Sequence, residues 1–172
     1  VGCMVLMVGA IGMYETTNSF IQINYSDNAR YASKAFLSDS VSEEEALRLA
    51  EKYDADYSAS ISVQLEEDTY SLEIYHIENN LIRFIDADNK ELKLPDDGAL
   101  VCMRIAEKYS LSPGDVITVS PFGTDDEYQL TVSAVNRSMT ESIVISDAYA
   151  EKLISDGTKL TDSDLYKISS IY

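Results

Sequence analysis

Residues 98–119 read GALVCMRIAEKYSLSPGDVITV, and they predict a strand–helix–turn–strand unit. Ala99, Leu100, Val101 and Cys102 form an apolar run of strand length, and a two-turn helix follows over 103–109. In that helix Ile105, Ala106 and Tyr109 share one face, while Arg104, Glu107 and Lys108 share the other. That is the period of a helix lying on a core. Ser112-Pro113-Gly114-Asp115 is a tight turn: proline presets the first corner, and glycine takes the positive φ that follows. A second strand is expected over 116–120. The unit holds no nucleophile–base pair, phosphate loop or metal-ligand spacing, so its role is structural.

Upstream, Tyr57, Ala59, Ile61, Val63 and Leu65 alternate with small polar residues, which predicts a half-buried strand over 57–65. A turn over 66–69 returns the chain, with Tyr70, Leu72 and Ile74 facing the same side of an antiparallel partner. Ser40 and Ser42 compete as N-cap, and Ser42-x-x-Glu45 is a capping box; the helix ends near Tyr53, with Ala46, Leu47, Ala50 and Tyr53 inward. Asn79-Asn80 breaks the second strand, 81–85 is a short apolar strand, and 86–95 is an acidic turn with a brief second arm. Downstream, the loop 121–126 (PFGTDD) leads to a strand in which Tyr128, Leu130, Val132 and Ala134 share a face. Ile143, Val144 and Ile145 form a buried strand, after which Ser146 or Asp147 caps a helix ending near Gly157. Residues 30–37 make a first strand, and 164–172 a last one beside it, so both ends of the body lie together. The expected fold is α+β: a mixed or antiparallel sheet with two or three short helices, on an N-terminal helical stalk.

The stalk is inferred from the start of the chain. Residues 1–13, VGCMVLMVGAIGM, carry no charge. As a helix they rise about 20 Å, short of the roughly 20 residues that span a bilayer. The end of a cut transmembrane helix, a signal-peptide core and a buried helix all compete; the missing basic start and cleavage site count against the second. A missing polar face counts against the third. From Tyr14 the pattern turns amphipathic, with Tyr14, Thr17, Ile21 and Tyr25 at helical spacing, which predicts a helix continuing over 14–27. The domain plan is therefore 1–13 as the end of a membrane helix, 14–27 as stalk and 28–172 as the α+β body. Residues 66–135 are a candidate β-rich subdomain within that body.

The 98–119 unit, with its IAEKYSL and PGDVITV, resembles the extracytoplasmic domain of FtsX-like ABC transporter permeases. The run GCMVLMVGAIGMYETTNSFIQINY (residues 2–25) resembles the first helix of the second membrane half in large permeases of the Gram-positive type. Together these stretches cover about a quarter of the chain. The resemblance implies a non-enzymatic domain at the cell membrane, with its globular part outside and membrane lipid around residues 1–13. It implies a cytoplasmic ABC ATPase subunit as partner, engaged through the rest of the permease. Motion would pass along 14–27 to a body that handles a peptide, a lipid or an accessory protein. Where that family's central helix often carries a serine cap, this chain has Cys102-Met103, so an irregular helix start is expected. The alternative is a pilin-like or membrane-anchored surface subunit that assembles through its apolar helix.

Composition narrows the partners. Thirty acidic residues against 13 basic ones give a net charge of −17, a field that repels nucleic acid and favours cations or basic peptides. Basic residues are scattered without interleaved aromatics, so no nucleic-acid surface is expected. Cys3 and Cys102 do not suggest a disulfide, and the core must hold the fold. No Walker loop or dinucleotide fingerprint is present. His76, the one histidine, has only Glu78 nearby and reads as a partly exposed strand residue. Abundant serines lack the Gly-x-Ser-x-Gly elbow of a hydrolase. Asp86-Ala-Asp88-Asn89 starts like a calcium loop, but Lys90 and Glu91 stand where an oxygen ligand and a glycine are needed. The acidic run Asp125-Asp126-Glu127 reads as a solvated turn. No catalytic, cofactor-binding or metal-ligating residue is expected.

Overall fold

The computed structural model describes residues 2–22, 28–38 and 40–172. Helix α1 (Gly2–Ile21) is continuous, and every residue from 9 to 19 is exposed, Ile11, Met13 and Tyr14 among them. No helix among the described residues is long and apolar enough to cross a membrane. The far end of the expected stalk, 23–27, lies outside the described residues, as does Asp39.

The body begins with the two-residue strand β1 (Ala35–Phe36). Helix α2 (Glu43–Tyr53) then starts on the expected capping box: the Ser42 hydroxyl accepts from the Glu45 N–H, and the Glu45 carboxylate from the Ser42 N–H. Strands β2 (Tyr57–Leu65) and β3 (Asp68–His76) pair along their whole length through a two-residue turn, in which Glu66 takes a φ of 54°. A small hairpin of β4 (Phe84–Ile85) and β5 (Glu91–Leu92) follows. The 98–119 unit forms as its sequence predicts: β6 (Ala99–Cys102), α3 (Met103–Tyr109) and β7 (Val116–Pro121). Ile105 and Ala106 are buried, and Arg104, Glu107 and Lys108 exposed. The start of α3 is regular, although Cys102 caps it with no side-chain hydrogen bond. Next come β8 (Tyr128–Asn136), β9 (Ser142–Ser146) and α4 (Asp147–Ala150). A second small hairpin, β10 (Ile154–Ser155) with β11 (Thr158–Lys159), precedes a 3-10 turn, and β12 (Ile168–Ile171) ends the body.

The α+β class holds, and the sheet closes on itself. Six strands run in the order β2-β3-β9-β6-β8-β7 and return to β2, where Val63 pairs with Pro121 and Gln64 with Ser120. Two of the junctions, β3 with β9 and β6 with β8, are parallel. Closure leaves those six strands without a free edge. The interior takes Ala59, Ile61, Val63, Leu72, Val101, Val119, Leu130, Val132, Ile143 and Ile145, all nearly or wholly buried. Ile105 and Ala106 of α3 and Tyr149 and Ala150 of α4 belong to the same core. Residues 66–135 supply four of the six strands and share the barrel with β2 and β9. The first half of β2 also carries β12, and β12 carries β1, so entry and exit of the body are antiparallel neighbours (Ala35 opposite Ile171).

Three local expectations are corrected. In α2 only Ala46 and Ala50 are buried; Leu47 and Tyr53 are exposed, because the helix meets the body mainly at β12, along a narrow stripe of small residues. The expected strand over 30–37 is strand only at Ala35–Phe36, and that over 81–85 only at Phe84–Ile85; upstream of each, Ala29 and Ile82 form an isolated bridge. The helix expected to end near Gly157 stops at Ala150 and gives way to the β10–β11 hairpin. Its two turn residues, Asp156 and Gly157, both have positive φ, 47° and 84°, which Asp-Gly supplies readily. That dipeptide was the available signal.

Candidate functional site

Outward-facing side chains of the barrel build a second, smaller apolar layer. Alternation sends Ser71, Glu73 and Tyr75 of β3 outward, along with Ser142, Val144 and Ser146 of β9, and Leu100 of β6. Over them pack Phe84 and Leu92 of the β4–β5 hairpin and Ile82 just upstream of it, with Tyr31 and Tyr172. Tyr75 meets Phe84 edge-on at 5.5 Å and Tyr172 at 6.1 Å, and Tyr31 meets Tyr172 at 5.0 Å.

Strand β8 contributes to this layer through a slip of register. Ala99 pairs with Val132, but Leu100 pairs with Ala134, so Ser133 is an extra residue, a bulge. Leu130 and Val132 point into the barrel, whereas Ala134 packs in the outer layer and Val135 on the main core. The expected common face of Tyr128, Leu130, Val132 and Ala134 is thus broken at its last member, since one inserted residue inverts everything beyond it. Gly98 makes the bulge fit: a Cβ there would lie 1.9 Å from Ser133 Oγ and 3.0 Å from the Thr131 carbonyl. The consequence is that Asn136, two residues past Ala134, also faces outward.

Asn136 lines a cleft of about 240 Å³ with Asn28, Tyr31, Lys34, Glu73 and Tyr172. Ser138, Thr140 and Ser142 form its hydroxyl rim, linked by contacts of 3.0 and 3.4 Å. Asn136 is 3% exposed, yet its Oδ1 has no hydrogen-bond partner among the described residues, and neither does the buried Oδ1 of Asn28. Buried polar atoms are nearly always paired. Two orphaned oxygens on one cleft are the most unusual chemical feature of the molecule. On the other side of the β4–β5 hairpin lies a cleft of about 460 Å³ that shares Tyr75, Ile82, Arg83 and Phe84.

One buried acid holds the frame of both clefts. Asp56 is fully buried; its Oδ1 accepts from the N–H groups of Glu78 and Asn79, and its Oδ2 from that of Leu81, each at 2.9 Å. Its carbonyl accepts from the Tyr172 N–H at 2.8 Å. Sequence reading missed this residue, because an aspartate before an alternating strand resembles any turn acid.

His76, expected to be a partly exposed strand residue, is that, and it also has partners from a distant element. Its Nδ1 meets the Asp147 carboxylate at the start of α4, its Nε2 lies 3.3 Å from Glu78, and its ring stacks on Tyr57 at 4.6 Å. Burial opposes charging of the ring, but the Asp147 and Glu78 carboxylates outweigh it and raise its pKa above the ordinary 6.5. Burial and then the nearby Asp147 carboxylate push the Tyr57 hydroxyl up to about 12. A folded-state value above the unfolded one means that this bridge contributes fully below about pH 6.5. Its contribution fades as pH rises through the raised value. The stability difference between wild type and His76→Gln should therefore be larger at pH 6 than at pH 9, measured by urea unfolding at both.

The remaining acidic candidates are occupied structurally. Asp86 Oδ1 accepts from the N–H groups of Asp88 and Lys90, both at 2.9 Å, so the calcium-like sequence is the turn of the β4–β5 hairpin. Asp68 receives the Lys108 ammonium at 2.5 Å and the Tyr109 hydroxyl at 2.6 Å, tying the end of α3 to the β2–β3 hairpin; these bonds lower its pKa. Asp125 and Glu127 are exposed in the β7–β8 loop, and Cys102 is buried and free. No cluster of three His, Cys, Asp or Glu suited to a metal occurs among the described residues. Compared with known families and curated proteins, the chain matches no family model and no curated sequence.

Proposed function

We propose that this chain is the extracytoplasmic domain of an FtsX-like ABC transporter permease subunit, seated at the cell membrane with its barrel outside. In this reading it couples motion of ATPase-driven membrane helices to the handling of a substrate or a partner protein. The observation that carries it is the pairing of β1 with β12, which makes the body's entry and exit antiparallel neighbours. A body inserted between two membrane helices needs that arrangement. Helix α1 adds support: uncharged through Tyr14, it presents Ile11, Met13 and Tyr14 outward, as the lipid-facing and interfacial part of a membrane helix would. Residues 1–13 would then meet lipid, and the acidic surface would lie in solvent, away from anionic headgroups.

The partner that this reading requires is a cytoplasmic ABC ATPase. Affinity isolation of the full-length protein from gently solubilised membranes of its own cell should recover such an ATPase, identified by mass spectrometry. Recovery of the protein without any ABC ATPase, from membranes where other permease complexes stay intact, would contradict the proposal.

A further inference from the structure

We propose that the Asn28–Asn136 cleft is a binding site for a small, neutral, multiply hydroxylated molecule about the size of one sugar ring. The inference stands on the cleft alone and does not depend on the membrane reading.

Three observations converge on it. First, the Ser133 bulge and the side-chain-free Gly98 together turn Asn136 out of the barrel and into a closed corner, where its Oδ1 is unpaired. Leaving a buried acceptor unpaired is costly in the free protein, and a ligand hydroxyl donating to it removes that cost. Asn28, which lines the same cleft, presents a second such oxygen. Second, the rest of the lining both donates and accepts. The hydroxyls of Ser138, Thr140 and Ser142 do either, and the Glu73 carboxylate already holds Ser60 at 3.0 Å and Ser71 at 2.6 Å. Third, the charge balance favours neither ion. Arg83 lies 3.6 Å from the Glu91 carboxylate, which leaves Glu73 set against Lys34 in the lining. The Lys34 ammonium sits 4.7 Å from the centre of the Tyr172 ring, so a cation approaching that ring meets a like charge. A neutral ligand with hydroxyls on its edge and C–H groups on its face matches a lining that combines amides and hydroxyls with tyrosine rings. The volume of about 240 Å³ suits one such ring.

The test is nuclear magnetic resonance titration of the whole chain with D-glucose, N-acetyl-D-glucosamine and myo-inositol. Methylammonium chloride and sodium acetate serve as charged probes. A ligand this small should bind in the millimolar range, about −4 kcal/mol. The expected result is that at least one neutral probe shifts the side-chain amides of Asn28 and Asn136 saturably. Asn136→Leu should weaken that binding by about tenfold or more, and Asn28→Ala should weaken it too. The melting temperature of free Asn136→Leu should not fall, because the substitution removes an unpaired buried acceptor. The proposal is overturned if no neutral probe gives saturable shifts at up to about 100 mM. It is overturned equally if the shifts survive in both variants, or if a charged probe binds more tightly than every neutral one.

Discussion

Replacing Asp56 with alanine should destabilise the protein by about 4 kcal/mol, the largest effect expected of any single polar substitution here. Its carboxylate is fully buried and is the acceptor for three backbone N–H groups, those of Glu78, Asn79 and Leu81. Each hydrogen bond to a charged acceptor is worth roughly 1.5–3 kcal/mol, and water reaching the exposed Glu78 and Asn79 recovers part of the sum. Asp56→Asn should cost about half as much, because one amide oxygen still accepts while the amide nitrogen turns a donor toward a donor. Urea unfolding measures both, and amide exchange localises the loss: Glu78, Asn79 and Leu81 should exchange faster in either variant. The consequence reaches the candidate site, because this loop delivers Ile82 and the β4–β5 hairpin to the outer layer.

The second large effect is expected at Leu130, fully buried inside the barrel on β8. Leu130→Ala should cost about 3–4 kcal/mol, the lost transfer energy plus the cavity that a closed sheet cannot collapse to fill. On the neighbouring strand, Val116 is 59% exposed, and Val116→Ala should stay within about 0.5 kcal/mol of wild type. Denaturant midpoints for the two variants test whether the interior of the barrel, rather than its outer surface, holds the fold. Similar losses at both positions would argue against the closed sheet.

How much of this was legible follows from where the information lies. The 98–119 unit and the β2–β3 hairpin could be read because each carries its own period: Ile105, Ala106 and Tyr109 at helical spacing, and Ala59 to Leu65 at strand spacing. Pairing of the first and last strands was also anticipated. Closure was not, because it depends on two residue pairs between β2 and β7, Val63 with Pro121 and Gln64 with Ser120, which are far apart in sequence. No local pattern records which distant edge a strand will meet. The candidate cleft was hidden for a sharper reason. Strict alternation puts Asn136 inside the barrel, and only the extra residue at Ser133 turns it out. The cue, Gly98, lies just before another strand. Asp56 was likewise invisible, since its three donors come from a loop 22 to 25 residues away. In α2 the period was read correctly, but the width of the buried face was not: the body buries Ala46 and Ala50 and leaves Leu47 and Tyr53 in solvent.

The proposed function requires a body carried outside a membrane. The most direct measurement is the side of the membrane on which the body lies. Asp125 is exposed in the β7–β8 loop, and Cys102 is buried. Asp125→Cys in the full-length protein, expressed in its own cells, can therefore be probed with a membrane-impermeant maleimide, with the unsubstituted protein as control. The account predicts labelling of Asp125→Cys on intact cells, above that control. Labelling that appears only after lysis would place the body in the cytoplasm and contradict it.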